Sequence, residues 1–189
     1  MEWCVGYEDK MKHTFSQLID TLYTQKEYRP VSVAVLYREV DSNRKFLLIQ
    51  STKCLDEWSF PQGGVEESER LEDALSRELT EELGINFSTE VSRVRLAYHY
   101  ELLDAESTRK DKRGFSKGKA YFFTVGQYTG NGLFLLQDEE VNEALWMNYE
   151  NALLFFRLGR PKKADLSIKA LDAAIVLLDQ VVSAPPQSI

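Results

Sequence analysis

The sequence has few of the features that mark secreted, disulfide-bonded or membrane proteins. Its 189 residues include only two cysteines, Cys4 and Cys54, which fit neither a disulfide framework nor the paired spacing of a zinc site. No apolar run approaches the roughly 20 residues that a membrane-spanning helix needs, and the first residues lack the basic and apolar regions of a secretory signal. The formal net charge of −7 gives the molecule no overall attraction to nucleic acid or anionic membranes. We therefore expect a cytoplasmic globular protein with no membrane partner and no affinity for duplex nucleic acid.

The composition and the order of patterns indicate one main domain with short additions at its ends. Hydrophobic residues make up 43% and charged residues 28% of the chain, which is ordinary for a globular protein. The sequence has no internal repeat and no linker rich enough to divide it into two domains. We expect a helical extension over 1–30, the main domain over 31–183 and a flexible tail over 184–189.

Apolar periodicity predicts the secondary structure. Helical spacing predicts an amphipathic helix over about 8–26, with an apolar face formed by Phe15, Leu18, Ile19, Leu22 and Tyr23. Runs rich in β-branched and aromatic residues predict strands at about 32–38, 45–51, 91–102, 120–125 and 144–148. A further helix is predicted over about 165–182. This order indicates an α/β fold in which helices cover a mixed sheet.

The most informative stretch is the acidic segment 63–85. It places Glu78, Glu81 and Glu82 at helical spacings of three and four, directly after Arg77. Residues so spaced lie on one side of a helix, where like charges repel and destabilise the helix. Hard divalent cations such as Mg²⁺ bind carboxylates together with substrate phosphates. The spacing therefore predicts a metal site suited to phosphate chemistry, whereas the alternative is an acidic surface helix.

The same segment carries the signals of an amphipathic helix. An apolar residue recurs every fourth position and gives one stripe that can pack on a sheet, namely Leu71, Leu75, Leu79 and Leu83. Ser68 is the expected N-terminal cap, and Gly84 is expected to end the helix in the left-handed conformation. Pro61, Gly63 and Gly64 are expected to form the loop that leads into it.

The full spacing resembles the Nudix box. Gly63, Glu69, Arg77-Glu78-Leu79, Glu81-Glu82 and Gly84-Ile85 fill its fixed positions, with aliphatic residues at the two hydrophobic ones. The resemblance implies an α/β/α sandwich with a mixed β-sheet, here with an additional N-terminal helix. It also implies hydrolysis of a diphosphate linkage by water, assisted by divalent cations.

The resemblance assigns roles to individual residues. Glu78, Glu81 and Glu82 would ligate Mg²⁺ or Mn²⁺, and the backbone carbonyl near Gly63 would add a ligand. One box glutamate, for which Glu81 is favoured, would also orient or deprotonate the attacking water. Arg77 would complete the catalytic group by holding Glu78 or Glu69 in place.

A further acidic residue outside the box often completes such sites. The segment before the strand that carries Trp146 offers four acidic residues, Asp138, Glu139, Glu140 and Glu143. Glu140 is the preferred additional metal ligand and Glu143 the second choice. The alternative is a solvated acidic loop.

Three features suggest the substrate. Pro61-Gln62-Gly63-Gly64 resembles the flank of Nudix enzymes that hydrolyse dinucleoside polyphosphates and of RNA pyrophosphohydrolases, which makes Gln62 a candidate substrate contact. The basic stretch 107–119 concentrates positive charge that suits a polyphosphate, and its candidate contacts are Arg113, Lys117 and Lys119. The alternative for this stretch is a solvated basic loop. Tyr98 and Tyr100 are candidate base-stacking residues, although their alternation is also typical of a strand face.

Three functions then compete. The first is hydrolysis of a dinucleoside polyphosphate or of the 5′-triphosphate end of RNA. The second is hydrolysis of another diphosphate, such as a nucleoside triphosphate, a nucleotide sugar or a diphosphoinositol phosphate. The third is a Nudix-fold binding protein without catalysis, which the complete set of box glutamates argues against. The oligomeric state stays open between monomer and homodimer, because the apolar face of the N-terminal helix can cover either its own domain or a second subunit.

Overall fold

A mixed β-sheet forms the centre of the molecule, as seen in a computed structural model that describes residues 5–105, 112–137 and 139–183 and, outside 5–14, 96–98 and 181–183, their side chains. The elements are, in chain order, α1 Val5–Gln25, β1 Tyr28–Val40, β2 Asn43–Ser51, β3 Cys54–Ser59, β4 Gln62–Gly64, α2 Leu71–Leu83, α3 Phe87–Glu90, β5 Val91–Asp104, β6 Gly118–Tyr128, β7 Val141–Met147, α4 Tyr149–Phe156 and α5 Pro161–Ser183.

Strand β1 lies in the middle of the sheet. The strand order is β3-β2-β1-β6-β5, with β4 also paired to β1 and β7 to β2. Strands β1 and β6 run parallel from the pair Tyr28–Gly118 to the pair Tyr37–Gln127, and the other pairs are antiparallel. Because β1 is covered on both faces, its apolar run VSVAVLY is continuous rather than alternating. The predicted mixed sheet is confirmed.

Helices cover both faces of the sheet. On one face, α4 and α5 pack against strand residues such as Phe46 and Phe123. On the other face, α2 packs over Leu36 and α1 packs over Phe122. The α/β/α sandwich and the additional N-terminal helix are therefore confirmed.

Helix α1 covers its own domain. Its residues Ile19, Leu22 and Tyr23 are buried, and they contact both the sheet and Ala74 of α2. The predicted apolar face is thus used within the chain. Among the helices in the described part of the chain, none is both long and apolar enough to cross a membrane.

Two strands and two helices were not predicted: β3, β4, α3 and α4. The segment 61–64, expected as a loop, contains β4, in which Gln62 pairs with Val33 and Gly64 with Val31. Glycine has low strand propensity, so only the long-range ladder with β1 makes this segment a strand. Strand β3 was not predicted, because its first three residues are exposed and it has too few apolar residues to show an alternating pattern.

The start of α2 also differs from the expectation. The residue that caps the helix is Arg70, in extended conformation and without a side-chain capping bond, so the prediction of Ser68 was wrong. Ser68 instead has a positive φ of 65° and lies in the turn before the helix. This turn is fixed by Glu69, whose carboxylate accepts the backbone N–H of Glu66 at 2.8 Å. The other end is as predicted, since Gly84 has a φ of 68° and its N–H donates to the Thr80 carbonyl at 3.0 Å.

Candidate functional site

Helix α2 carries its acidic residues at different depths. The buried side chains of Leu75, Leu79 and Leu83 fix the rotation of the helix against the sheet. This rotation leaves Glu82 with 7% of its surface exposed and the Glu78 side chain with 15%, whereas the Glu81 side chain keeps 56%. The two deeper glutamates therefore lie at the sheet and Glu81 faces solvent.

Glu82 is a buried carboxyl group near other negative charges. Burial raises its pKa, the charges of Glu78 and Glu140 add to this rise, and a hydrogen bond from the Gln62 backbone N–H opposes it, so that the pKa lies at about 8. Its Oε2 atom has no hydrogen-bond partner among the described residues. A buried carboxylate oxygen without a partner is costly, so Glu82 is a position where a cation would be stabilised.

Glu78 occupies the space above Gly63. A Cβ atom on Gly63 would lie only 1.6 Å from Cδ of Glu78. Burial raises the pKa of Glu78, its contact with Arg77 opposes that shift, and the charges of Glu81 and Glu140 add to it. The absence of a side chain at Gly63 is therefore what lets the backbone and this carboxyl group approach each other.

Arg77 connects the helix to the segment that precedes it. Its guanidinium contacts both Glu69 oxygens at 3.0 Å and the Glu78 carboxylate at 2.6 Å. It also donates to the Gly64 carbonyl at 2.9 Å and lies 3.5 Å from Glu81. Because the guanidinium group is planar and rigid, donating to several acceptors at once holds those acceptors in fixed relative positions.

Long-range backbone contacts bring Glu140 to this cluster. Leu135 donates its N–H to the Leu83 carbonyl at 2.9 Å, and Gln137 donates to the Glu82 carbonyl at 3.1 Å, so this segment follows the end of α2. Glu140 is exposed and lies 3.6 Å from Lys53, yet its charge raises the pKa of both Glu78 and Glu82.

Glu143, the second choice for this additional ligand, is exposed on β7 opposite Gln50. Asp138 lies outside the described residues.

The acidic cluster has the donor chemistry of a site for a divalent cation. Within the described residues, no three acidic, histidine or cysteine side chains meet at a single point as placed, and Arg77 holds Glu78 by its Oε1 atom. Oxygen donors, an unpartnered buried oxygen on Glu82 and mutual repulsion between the carboxylates nevertheless fit a hard divalent cation.

A cavity of about 250 Å³ opens beside the start of β6. Its walls combine apolar side chains with four basic ones, and it is lined by Leu103, Asp104, Ala105, Phe115, Gly118, Lys119, Tyr121, Arg160, Lys162 and Lys163. This combination of apolar and basic side chains, with Asp104 as the one acidic member, suits a nucleoside that carries phosphates.

Of the predicted substrate contacts whose side chains the structure describes, only Lys119 lines this cavity. Arg113 instead lies 2.6 Å from Glu66, and Lys117 lies 2.8 Å from Glu27. Tyr100 packs on Phe122 with ring centroids 5.0 Å apart.

The remaining candidates are in β4, in β5 or in the basic stretch. Gln62 is half-buried in β4 and reaches Glu82 through its backbone. The side chain of Tyr98 lies outside the described residues, as do residues 107–111 of the basic stretch.

Sequence reasoning missed two sources of positive charge. One is the start of α5, where Arg160 and Lys163 bind the buried carboxylate of Glu57 at 3.0 and 2.7 Å. The other is Arg29, whose Nη2 lies 2.1 Å from where a Cβ atom on Gly64 would be. Two signals were available in the sequence: the basic run GRPKK (159–163) at the start of a helix, and Arg29 near the start of an apolar strand. Both patterns are too common to indicate a specific site.

Comparison with known proteins agrees with this geometry. A family model described as the NUDIX domain matches residues 28–167. An RNA pyrophosphohydrolase of a Sulfurovum species is 41% identical over 66 residues, which cover 34% of this chain and 42% of that protein. An RNA pyrophosphohydrolase of a Nitratiruptor species is 39% identical over 61 residues, or 32% and 39% of the two chains. The chain thus spans only about two fifths of the length of these relatives.

Solved structures show the same fold. A C. elegans Ap4A hydrolase binary complex has a TM-score of 0.59 and 20% identity, over 80% of this chain and 98% of that one. The E. coli dihydroneopterin triphosphate pyrophosphohydrolase has a TM-score of 0.63 and 17% identity, over 80% and 99% of the two chains. The family match covers well over half of the sequence, and Glu78, Glu81 and Glu82 of the box that suggested it lie on α2. The chain therefore belongs to the Nudix family.

Proposed function

We propose that the protein hydrolyses a diphosphate linkage in a nucleoside polyphosphate, with a dinucleoside polyphosphate or the 5′-triphosphate end of RNA as substrate. The observation that carries this proposal is Glu82, a buried carboxyl group with an unpartnered oxygen inside an acidic cluster. The cationic cavity adds a place for a phosphorylated nucleoside, and the partial similarity to RNA pyrophosphohydrolases supports the substrate class.

Four glutamates and one carbonyl would hold the cations. Glu78, Glu81, Glu82 and Glu140 supply carboxylate oxygens, and Gly63 supplies its backbone oxygen. Bound Mg²⁺ or Mn²⁺ would neutralise charge on the phosphoryl oxygens and lower the pKa of bound water. Arg77 fixes Glu78 relative to Gly64 through its contacts with both.

Glu81, the exposed glutamate, has a second role in addition to binding the cation. Glu81 is the most exposed of the three box glutamates and lies at the helix surface, where a water molecule can reach it. We assign to Glu81 the orientation or deprotonation of the attacking water. Gln62, on β4 beside Glu82, is assigned to the substrate.

The cavity would receive the nucleoside end. Lys119, Lys162 and the α5 residues bound to Glu57 surround it with positive charge. Phosphate contacts of this kind dominate affinity for polyphosphates and are weakened by salt. We also propose that the protein acts in the cytoplasm, as a monomer or a homodimer.

A substrate panel tests the proposed function. Diadenosine tetraphosphate, 5′-triphosphate RNA, nucleoside triphosphates, ADP-ribose, UDP-glucose and a diphosphoinositol phosphate are incubated with Mg²⁺ or with EDTA, and phosphate products are measured. We expect turnover of the first two substrates that EDTA abolishes. Glu140→Gln should lower kcat by at least about tenfold, the scale of losing one supporting group at a metal site, while the exposed neighbour variant Glu139→Gln should stay near wild type. Preference for a sugar nucleotide would refute the substrate assignment. Absence of turnover with every substrate would refute the enzymatic function.

The cavity assignment has its own test. Lys119→Ala is expected to raise KM for the polyphosphate substrate about fivefold with a smaller change in kcat, because Lys119 contacts bound phosphate rather than the reacting bond. The salt dependence of kcat/KM should also become shallower. Lys169→Ala, which removes an exposed lysine of α5 that pairs with Asp165 at 3.2 Å, serves as the control. Equal KM values for the two variants would show that the cavity does not bind the substrate.

A further inference from the structure

The segment Gly63–Glu66 begins in β4 and leads toward α2. Residues of the acidic cluster contact it on one side. Arg77 donates to the Gly64 carbonyl at 2.9 Å, and Gly63 lies against the Glu78 carboxyl group. At the end of the segment, the Glu66 N–H donates to Glu69 at 2.8 Å. The position of this backbone therefore decides where the Gly63 carbonyl lies relative to Glu78.

The N-terminal helix holds the same segment from the opposite side. The buried hydroxyl of Tyr23 donates to the carbonyl of Val65, which is itself fully buried. Val65 lies in one apolar cluster with Ile19 and Leu22 of α1 and with Ala74 of α2. Its N–H donates to the Pro30 carbonyl at 3.1 Å. Both polar backbone groups of Val65 are thus paired, as expected for a fully buried residue.

Tyr23 is itself held in one orientation. Its ring meets Phe115 edge-on with centroids 5.5 Å apart, and the Lys26 ammonium lies 4.7 Å above it. Arg113 hydrogen-bonds the Tyr23 hydroxyl and lies 2.6 Å from Glu66. A rotation of the Tyr23 ring would therefore break several contacts at once, so its hydroxyl is a fixed donor for the segment.

We propose that Tyr23 is a positioning residue for the cation site, acting through the Val65 carbonyl. Without its hydroxyl, the Val65 carbonyl loses its donor in a buried cluster, and the segment must shift to satisfy it. Gly63 is two residues away and moves with the segment, which changes the distance between its carbonyl and Glu78. The helix itself stays attached, because its apolar contacts do not depend on the hydroxyl. The inference rests on the proposed function only in placing the cation at these carboxylates.

Direct cation binding to the full chain is the test. Mn²⁺ is titrated into wild-type protein and Tyr23→Phe, free of substrate, and free Mn²⁺ is read by electron paramagnetic resonance. We expect the Kd for Mn²⁺ to rise about tenfold, the lower end of the scale for losing an outer partner of a metal site. The Tm measured in EDTA should fall by only a few degrees, the scale of one lost buried hydrogen bond. The Mg²⁺ concentration for half-maximal activity should rise in parallel, with a smaller change in the KM of the substrate.

A matched control removes a different hydroxyl from the same helix. Thr24 bonds the Asp20 carbonyl at 2.9 Å on the exposed side of α1, so Thr24→Val should keep wild-type Mn²⁺ affinity. Wild-type affinity in Tyr23→Phe, or an equal loss in both variants, would overturn the proposal. If Tyr23→Phe does not fold, Glu66→Gln loosens the same segment from Arg113, and unchanged Mn²⁺ affinity there would overturn it as well. Absence of hydrolysis by the wild type would refute the proposed function but leave this binding measurement intact.

Discussion

Glu82→Gln is expected to abolish hydrolysis and to stabilise the metal-free protein. The substitution removes a carboxylate ligand from the centre of the acidic cluster, so kcat should fall by roughly a hundredfold or more, the scale seen when one group that stabilises transition-state charge is lost. Glutamine keeps the size of the side chain and its contact with the Gln62 N–H, but it carries no charge that must be desolvated. The predicted outcome is therefore a more stable and inactive protein.

The stability effect has a defined pH dependence. Burial and the charges of Glu78 and Glu140 raise the pKa of Glu82 from 4.5 to about 8 in the folded, metal-free protein. The folded state therefore binds a proton that the unfolded state releases, and the associated stability is present below pH 4.5 and lost as the pH rises to about 8. Thermal unfolding in EDTA between pH 5 and 9 measures it, and at pH 8 Glu82→Gln should unfold roughly 5 °C above the wild type.

A matched variant separates this effect from a general loss of charge. Glu72 is half-buried on the same helix and lies 3.9 Å from Arg70, away from the acidic cluster. Glu72→Gln should keep wild-type activity and the wild-type change of Tm with pH. Activity within a few fold of wild type in Glu82→Gln, or an unchanged pH profile, would contradict the assignment of Glu82 to the cation.

Gly63→Ala is expected to inactivate the enzyme while keeping its fold. The added Cβ atom would lie 1.6 Å from Cδ of Glu78 and 2.0 and 2.1 Å from its oxygens, so either Glu78 or β4 must move. A displacement of about 1 Å at reacting groups can cost a hundredfold in rate, and we expect a loss of that size in kcat/KM. Steady-state kinetics measures it, with circular dichroism and Tm reporting the fold.

Another glycine provides the control for this substitution. A Cβ atom on Gly159 would meet its nearest atoms at 3.4 Å or more, which is ordinary contact. Gly159→Ala should therefore keep near wild-type activity and Tm. If Gly63→Ala were as active as Gly159→Ala, the close approach of Gly63 and Glu78 would have no part in catalysis.

The acidic helix was predictable because its signals are local. The leucine stripe, the three glutamates on one side and the final Gly84 all follow from spacings of three and four residues. The prediction of Ser68 as the cap was wrong because Glu69 bonds the Glu66 N–H and binds Arg77, which turns the chain before the helix begins. That turn depends on a contact eight residues along the chain, which capping preferences do not include.

The rest of the candidate site depends on contacts between distant segments. Glu140 reaches the acidic cluster because Leu135 and Gln137 bond the end of α2. Lys119 shares its cavity with the start of α5 only because β6 pairs with β1 in parallel.

By itself, the sequence determined the family, the acidic helix and the α/β/α order of elements, since these rest on residue spacing and on the alternation of strands and helices. The tertiary structure decided which other residues join that helix. Sheet register and helix packing bring Gly63 against Glu78, Arg29 against Gly64 and Tyr23 against Val65. Those contacts depend on the relative placement of separate elements, and no local pattern encodes a distance between segments that are far apart in the chain.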